Sequence, residues 1–378
     1  MARLWQAVIV VGLIRRALAA FRARARDPAP PAHSTWEVKP APDRIVAVGD
    51  LHGDVAAFGA ILRASELVDE RGAWSGGVAH LVLLGDLLGG HGDARLLLDT
   101  VLRLEREAAE AGGRVHAVLG NHDVLPIIGR FGKMSRSERA RFTAHPVADA
   151  PGPELVDVFR GDSVYARWLR RRPAILKIGA TVFVHAGLDR WAEEYDPDHI
   201  NRLVAAWIAY YQGVGPRPSE KRRWLAGDDE RGPLWMRSFK PRRDGGRRGG
   251  PRKKRLRKIL SHLGATRVVV GHSPTPDSEI VLSHPVYGDA VVLVDTRISD
   301  EHRGRLGALI IAGDTLAPVY TVDREAGAVV RTRAHVALER RSRPSVWRRI
   351  ARFFARLFRR RRRPSSTGAR ELPPPREP

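Results

Sequence analysis

The sequence predicts a layered α/β fold, on three observations. Short apolar, β-branched runs recur between residues 44 and 322, helical patterns separate several of them, and four end at a Gly that leads directly into Asp, Asn or His. Runs of this kind read as buried strands, and their alternation with helices excludes an all-helical bundle. In order, 45–48 precedes Gly49, Asp50, Leu51 and His52, and 78–84 precedes Gly85 and Asp86. Residues 115–119 precede Gly120, Asn121, His122 and Asp123, and 174–178 with 181–184 leads to His185, Ala186 and Gly187. Residues 268–270 lead to Gly271 and His272, while 291–294 and 308–311 complete the strand candidates. A helix is expected over 96–111, with Leu97, Val101, Leu104 and Ala108 at helical spacing. Folds of this class place their chemistry at strand ends. Carboxylate, imidazole and amide groups would converge there, an arrangement suited to two divalent cations.

Composition narrows the chemistry further. The 378 residues include no Cys, which excludes disulfides and thiolate metal sites. Any metal must be held by Asp, Asn and His, a donor set favouring Mn, Fe or Zn. The net charge of +23 is concentrated in three stretches. Residues 217–258 carry 17 basic against 5 acidic side chains, 331–378 carry 16 against 3, and the first 27 carry 6 against 1. The remainder is mildly acidic, which is not the charge pattern of a nucleic-acid-binding body.

These stretches define the expected organisation. Residues 1–43 read as an apolar and basic leader joined to a Pro-rich linker at 27–42. The apolar part, 4–14, is too short to span a bilayer, and most of its positive charge follows it, unlike a secretory signal. Export, peripheral membrane contact and a loosely helical leader all stay open. Residues 44–322 form the expected catalytic domain, with 190–258 as a helical and basic insert covering part of the site and 242–250 as a mobile excursion. The tail, 323–378, contains an expected amphipathic helix at 345–360, where Trp347, Ile350, Phe354, Leu357 and Phe358 oppose a face of arginines. Such a helix suits an anionic membrane surface. Packing on the body and nonspecific nucleic-acid contact are the alternatives. Arginine at both ends favours a cytoplasmic location, peripheral at the inner membrane face.

The ordered motifs Gly-Asp-x-His, Gly-Asp, Gly-Asn-His-Asp, His-Ala-Gly and Gly-His resemble the calcineurin-like metallophosphoesterase superfamily. Segments 165–188, 201–208, 232–237, 256–274 and 294–308 look like the bacterial-type, Shewanella-like branch of the phosphoprotein phosphatases. The resemblance implies a four-layer αββα sandwich of two mixed sheets flanked by helices, with two divalent ions near one edge. It implies that Asp50 and His52 bind the first ion, that Asp86 bridges, and that Asn121, His185 and His272 bind the second. His122 would contact phosphate and protonate the leaving group, and Arg237 of Gly-Pro-Leu-Trp-x-Arg would clamp phosphate with its planar fork. Paired ions about 3.5 to 4 Å apart turn a bridging water into a nucleophile and neutralise phosphoryl charge. The implied function is a phosphomonoesterase acting on phosphoproteins by attack of a metal-bridging hydroxide, with Mn as the ion expected to work in vitro. A nucleotide, polyphosphate or lipid-linked phosphate is the alternative substrate, and a degenerate phosphoester-binding module is the alternative outside enzymes.

The second motif departs from the branch. Phosphoprotein phosphatases continue it as Gly-Asp-x-x-Asp-Arg-Gly, whereas here Gly89 and Gly90 replace the Asp-Arg pair. The carboxylate that orients the catalytic histidine and a phosphate-binding arginine are thereby lost. His91, Asp93 and Asp123 are the candidate replacements for the carboxylate, Asp123 being placed with the catalytic residues. The glycines are expected to leave room for a bulkier substrate. Arg297 stands where the branch has glycine and is a candidate replacement for the arginine.

Overall fold

The computed structural model describes residues 36–144, 154–218, 231–240, 250–299 and 302–321, together with the backbone of 329–330 and 336–337. The leader through residue 35, nearly all of the 242–250 excursion and the amphipathic helix expected at 345–360 lie outside the described residues. The chain falls into two compact units, 1–336 and 337–378, and everything below belongs to the first.

In chain order the strands are β1 Glu37–Val38, β2 Ile45–Val48, β3 His80–Leu83, β4 Arg114–Ala117, β5 Ile175–Ile178, β6 Thr181–Val184, β7 Arg267–Val270, β8 Val291–Leu293, β9 Leu306–Ala312, β10 Thr315–Thr321 and β11 Val329–Val330. One sheet runs β1-β5-β6-β7-β8 and the other β11-β10-β9-β2-β3-β4. Both are mixed: β5 and β6 are antiparallel beside the parallel β6-β7-β8, and β9 is antiparallel to β2 beside the parallel β2-β3-β4.

Alternation along each strand makes the sandwich. Ile45, Ala47, Val82, Phe183, Val269 and Val292 enter one buried cluster that draws on both sheets. Their neighbours Val46, Val48, Leu81, Val182, Val268 and Val291 face the other way, into a larger core shared with the helices. A strand buried on both faces must be apolar at every position, which is why these runs carry no polar alternation. Helix α1, Val55–Ala64, lies against β9 and β10, and α2, Ala94–Glu110, against β4. The α2 face that packs is Ala94, Leu97, Leu98, Val101, Leu104 and Ala108, a stripe at helical spacing that includes all four expected positions. Asp54 caps α1 through Ala57 N and Asp93 caps α2 through Leu96 N.

Across the other sheet, α8, Pro197–Tyr211, is fixed to the start of β5 by one side chain. Asn201 Oδ1 accepts from Ala174 N and Ile175 N while its Nδ2 donates to Ile175 O, all at 2.9 to 3.1 Å. The remaining helices are α3 Asn121–Ile127, α4 Arg136–Thr143, α5 Leu155–Val158, α6 Val164–Arg170, α7 Trp191–Glu194 and α9 Lys253–His262. Among the described residues no helix is long and apolar enough to cross a membrane.

Strands β1, β10 and β11 escape the sequence pattern. Glu37–Val38, within the expected linker, pairs with β5, and Lys177 bridges to Glu37 at 2.7 Å. Two residues are too few to display a period. Strand β10 contains Pro318, a residue that argues against a strand because it cannot donate to the ladder.

Candidate metal centre

Strand register turns distant motifs into one cluster. Val48 is level with Leu83, and Leu83 with Ala117, so Asp50, Asp86 and Asn121 leave the same end of their sheet within two to four residues. In the facing sheet Val184 is level with Val270, so His185 and His272 leave one end together. The two sets meet. His185 Nε2 lies 2.9 Å from Asn121 Oδ1, 3.2 Å from His272 Nδ1 and 3.4 Å from Asp86 Oδ1. Gly120 and Gly271 permit this closeness, since a methyl group on either would come within 2.4 Å of a carboxylate oxygen of Asp86 or Asp50.

Backbone carbonyls fix the orientation of the rings. His185 Nδ1 donates to Leu84 O at 2.7 Å, His272 Nε2 to Trp235 O at 3.2 Å, and His52 Nδ1 to Leu88 O at 3.1 Å. A carbonyl only accepts, so each rear nitrogen carries its hydrogen and each front nitrogen offers a lone pair to the cluster. Asp86 belongs to two trios, one with His52 and His122 and one with His185 and His272, and within each the ligand atoms lie within 4.8 Å of one another. Asp50 is in neither trio; both its oxygens accept from His272 N, at 3.0 and 3.2 Å, which ties the two sheets together at the site.

Electrostatics gives the same picture. Burial lifts the Asp50 carboxyl well above the usual range, and the neighbouring Asp295 and Asp86 add to it, while His185 opposes. Burial alone would raise Asp86 too, but His185 and His122 outweigh it and hold that carboxyl low. His185 is buried, which disfavours its charge, yet Asp86 and Asp50 raise it to about 10. Asn121, Asp86 and His272 thus surround His185 Nε2 with a cage of acceptors that favours positive charge there. Buried carboxylates, imidazole lone pairs and an amide oxygen suit hard-to-borderline dications, so the donor set fits the implied ions. His52, Asp86 and His272 also adopt left-handed backbone, with φ of 46°, 51° and 59°. Strain of order 1 kcal/mol or more at each persists where surrounding contacts over-determine the geometry.

A cavity of about 590 Å³ opens over the cluster and is lined by Asp50, His52, Asp86, His122 and His272. Asn121 and His185 lie beneath it, both buried. Arg237 reaches the rim, where its Nη1 donates to His272 O at 3.0 Å. Its motif wraps the centre: Pro233 O accepts from Ala186 N, and Trp235 O holds His272. Arg297 also lines the cavity, from left-handed backbone at φ 59°, the conformation that suits the branch's glycine.

Three expectations for the glycine loop are corrected. Asp123 is not placed to act on substrate. Its Oδ2 accepts from Asp86 N and Gly120 N, and its Oδ1 from Leu87 N and Leu88 N, so both oxygens are committed to the backbone that presents Asp86. Burial, then Asp86, raises its carboxyl to about 6. Asp93 caps α2 and pairs with Arg141 at 3.2 Å. Nor do the glycines open space. A methyl group on Gly89 would meet His122 Nδ1 at 2.2 Å, and one on Gly90 would meet His52 O at 2.4 Å. The His122 ring fills the volume of the missing side chain, and its Nδ1 is buried with no hydrogen-bond partner among the described residues.

Sequence reasoning missed several residues here. Glu138, on α4, is 1% exposed and binds the loop from outside, accepting from Gly89 N at 2.9 Å and Gly90 N at 3.2 Å. Lys133, Lys240, Asp295 and His302 line the cavity. The His302 ring is 6.0 Å from that of His52, and its Nδ1 lies 2.7 Å from Ser299 Oγ. Only Asp295 carried a signal. It follows strand β8 by two residues, just as Asp50 follows β2.

Comparison with known proteins accords with this geometry. The calcineurin-like phosphoesterase family matches residues 43–276. Shewanella-like protein phosphatase 2 of Arabidopsis thaliana is 28% identical over 234 residues, covering 52% of this chain and 58% of that protein. Shewanella-like protein phosphatase 1 of Plasmodium berghei (strain Anka) is 27% identical over 243 residues, covering 63% of each. The chain thus spans less than two thirds of the length of either relative. Among solved structures, the cold-active protein-tyrosine phosphatase of a psychrophilic Shewanella species superposes with a TM-score of 0.59 at 22% identity, covering 76% of this chain and 80% of that one, a likeness of fold. The match across residues 43–276, with the motif order and the sandwich, places this chain in the calcineurin-like phosphoesterase family.

Proposed function

We propose that this chain is a phosphomonoesterase that uses two divalent cations to hydrolyse phosphoproteins. The carrying observation is the position of Asp86, the one carboxylate shared by both ligand trios. Bound there, a pair of dications supplies an activated water and neutralises phosphoryl charge. The protein's own groups do the rest. Asp50 and His52 would hold one ion, Asn121, His185 and His272 the other, and Asp86 would serve both. Arg237, held by His272 O, presents its fork to phosphate oxygens from the rim. His122, anchored by its backbone N–H to Asp86 Oδ1 at 2.8 Å, faces the cavity beside His52 and is placed to contact phosphate and the leaving oxygen. Phosphoprotein as substrate is supported by the relatives, which bear protein phosphatase names. The filled volume beside Gly89 and Gly90 gives no support to a bulkier small-molecule substrate.

The test is turnover of p-nitrophenyl phosphate and of phosphopeptides with Mn²⁺, for the wild type and Asp86→Asn. Losing the shared carboxylate should cost on the order of a thousandfold in kcat/KM, the scale of removing a principal electrostatic group. Turnover that survives the substitution would remove Asp86 from the centre, and the assignment with it.

A further inference from the structure

Asp295 is a carboxylate without an assigned task. It is 4% exposed, lines the cavity, and lies in the loop that leaves β8. Its main chain is locked in place, since Asp295 O accepts from both Thr275 N and Thr275 Oγ1. Among the described residues only one of its oxygens has a partner: Oδ1 accepts from Arg297 N at 3.1 Å.

The neighbour that brings it to the centre is Gly49. A methyl group on Gly49 would stand 2.5 Å from Val294 O and 3.1 Å from Asp295 Cα, so the residue before Asp50 is in backbone contact with the residue that carries the third carboxylate. Here the end of a strand from one sheet meets the end of a strand from the other. Asp50, Asp86 and Asp295 all line the one cavity, and none is more than 5% exposed. Three buried carboxylates are therefore gathered at one site. Their mutual repulsion is costly in a low-dielectric site unless cations relieve it.

We infer that Asp295 is a further carboxylate of the metal centre, serving the ion held by Asp50 and His52. The inference rests on the dication reading of the site. Asp50 and Asp86 alone bring two negative charges against two dications, and burying that excess is unfavourable. A third carboxylate lowers it while leaving positive charge for a phosphate dianion. The Arg297 N–H holds Oδ1, so Oδ2 is the oxygen free to turn toward the ion.

The experiment compares full-length wild type, Asp295→Asn and Asp50→Asn after chelator stripping, by Mn²⁺ titration calorimetry and by thermal unfolding with and without Mn²⁺. Asn is isosteric and still accepts from Arg297 N. Asp295→Asn should bind one of the two ions tenfold or more weakly. Its metal-free form should unfold at the same or a higher temperature than wild type, because a repelling charge is gone. A group that merely anchors its loop would give the opposite pattern, a lower melting temperature without Mn²⁺ and unaltered Mn²⁺ affinity, and that result overturns the inference. Should the Asn variant not fold, Asp295→Ser, which also keeps an acceptor for Arg297 N, takes its place with the same expectation. Normal Mn²⁺ binding by Asp295→Asn with impaired binding by Asp50→Asn refutes the role of Asp295 alone. Normal binding by both refutes the metal centre itself.

Discussion

At the scale of single residues, the informative exchange is between Gly89 and His122. The branch's pattern puts an aspartate at 89, and this chain fills that volume with the histidine the aspartate would have oriented. The ring is fixed by packing, but its Nδ1 has no acceptor to stabilise a proton there. Burial, with His52 and His185 nearby, also lowers its tendency to charge, against the pull of Asp86. A general acid contributes about 10²–10⁴ in rate when well supported, and most of that should be absent here. Aryl phosphates with good leaving groups should accordingly turn over about a hundredfold or more faster than alkyl phosphates at one pH. A leaving-group series with a flat profile would contradict this. The sequence disclosed the substitution at 89 but not its remedy, because which side chain occupies a vacated volume is decided by packing. The same limit applied to Asp123, whose motif position suggested chemistry and whose two oxygens turn out to bind four backbone amides.

Elements explain why the motifs were readable at all. A buried strand ending at Gly gives the residues just beyond it a fixed address, and parallel register brings those addresses level. The candidate ligands on strand ends were legible for that reason. Glu138 was not, since it reaches the loop from a surface helix with no motif around it, and neither were Lys133 and His302. One pairing between β3 and β4 has its own consequence. His116 Nε2 and His80 Nδ1 are 3.1 Å apart, one donating and the other accepting, which requires the accepting ring to be neutral. Burial, with Arg114 nearby, lowers His80 to about 4; burial, then His80 and Arg114, lowers His116 to about 3. The unfolded chain binds these protons from about pH 6.5 downward and the folded chain does not. Their contribution is therefore complete above about pH 6.5 and is lost progressively as pH falls toward 4, by roughly 3 kcal/mol for His80 at the limit. Asp123 and Asp295, with raised pKa values, work in the opposite sense. The pair is consequently read as a difference: urea unfolding of wild type against His80→Asn/His116→Gln, which keeps a hydrogen bond without the protons. The stability gap should shift in the variant's favour from pH 7 to pH 4, and a gap that does not move would mean the rings titrate normally.

At the scale of the whole molecule, the centre lies where the two sheets face each other, and its ligands are drawn from both. Asp50, Asp86 and Asn121 come from one sheet, His185 and His272 from the other, and the hydrogen bonds from His272 N to Asp50 already cross between them. The sandwich was legible because doubly buried strands leave an unmistakable apolar run, whereas β1 and β11 were missed for brevity and β10 for Pro318. An ion bound to this ligand set holds the sheets together and has no counterpart in the unfolded chain, where the ligands are separated by as many as 222 residues. Binding must then stabilise the fold by mass action. Each ion at a hundred times its Kd adds about 2.7 kcal/mol, and a domain of this size moves by about 2 °C or more per kcal/mol. Adding Mn²⁺ to chelator-stripped protein should raise Tm by roughly 10 °C, and Asp86→Asn should lose most of that rise because Asp86 belongs to both ligand trios. The increment should grow with the logarithm of Mn²⁺ concentration. If Tm is instead insensitive to Mn²⁺ across a range that supports turnover, the ions do not bind to ligands from both sheets.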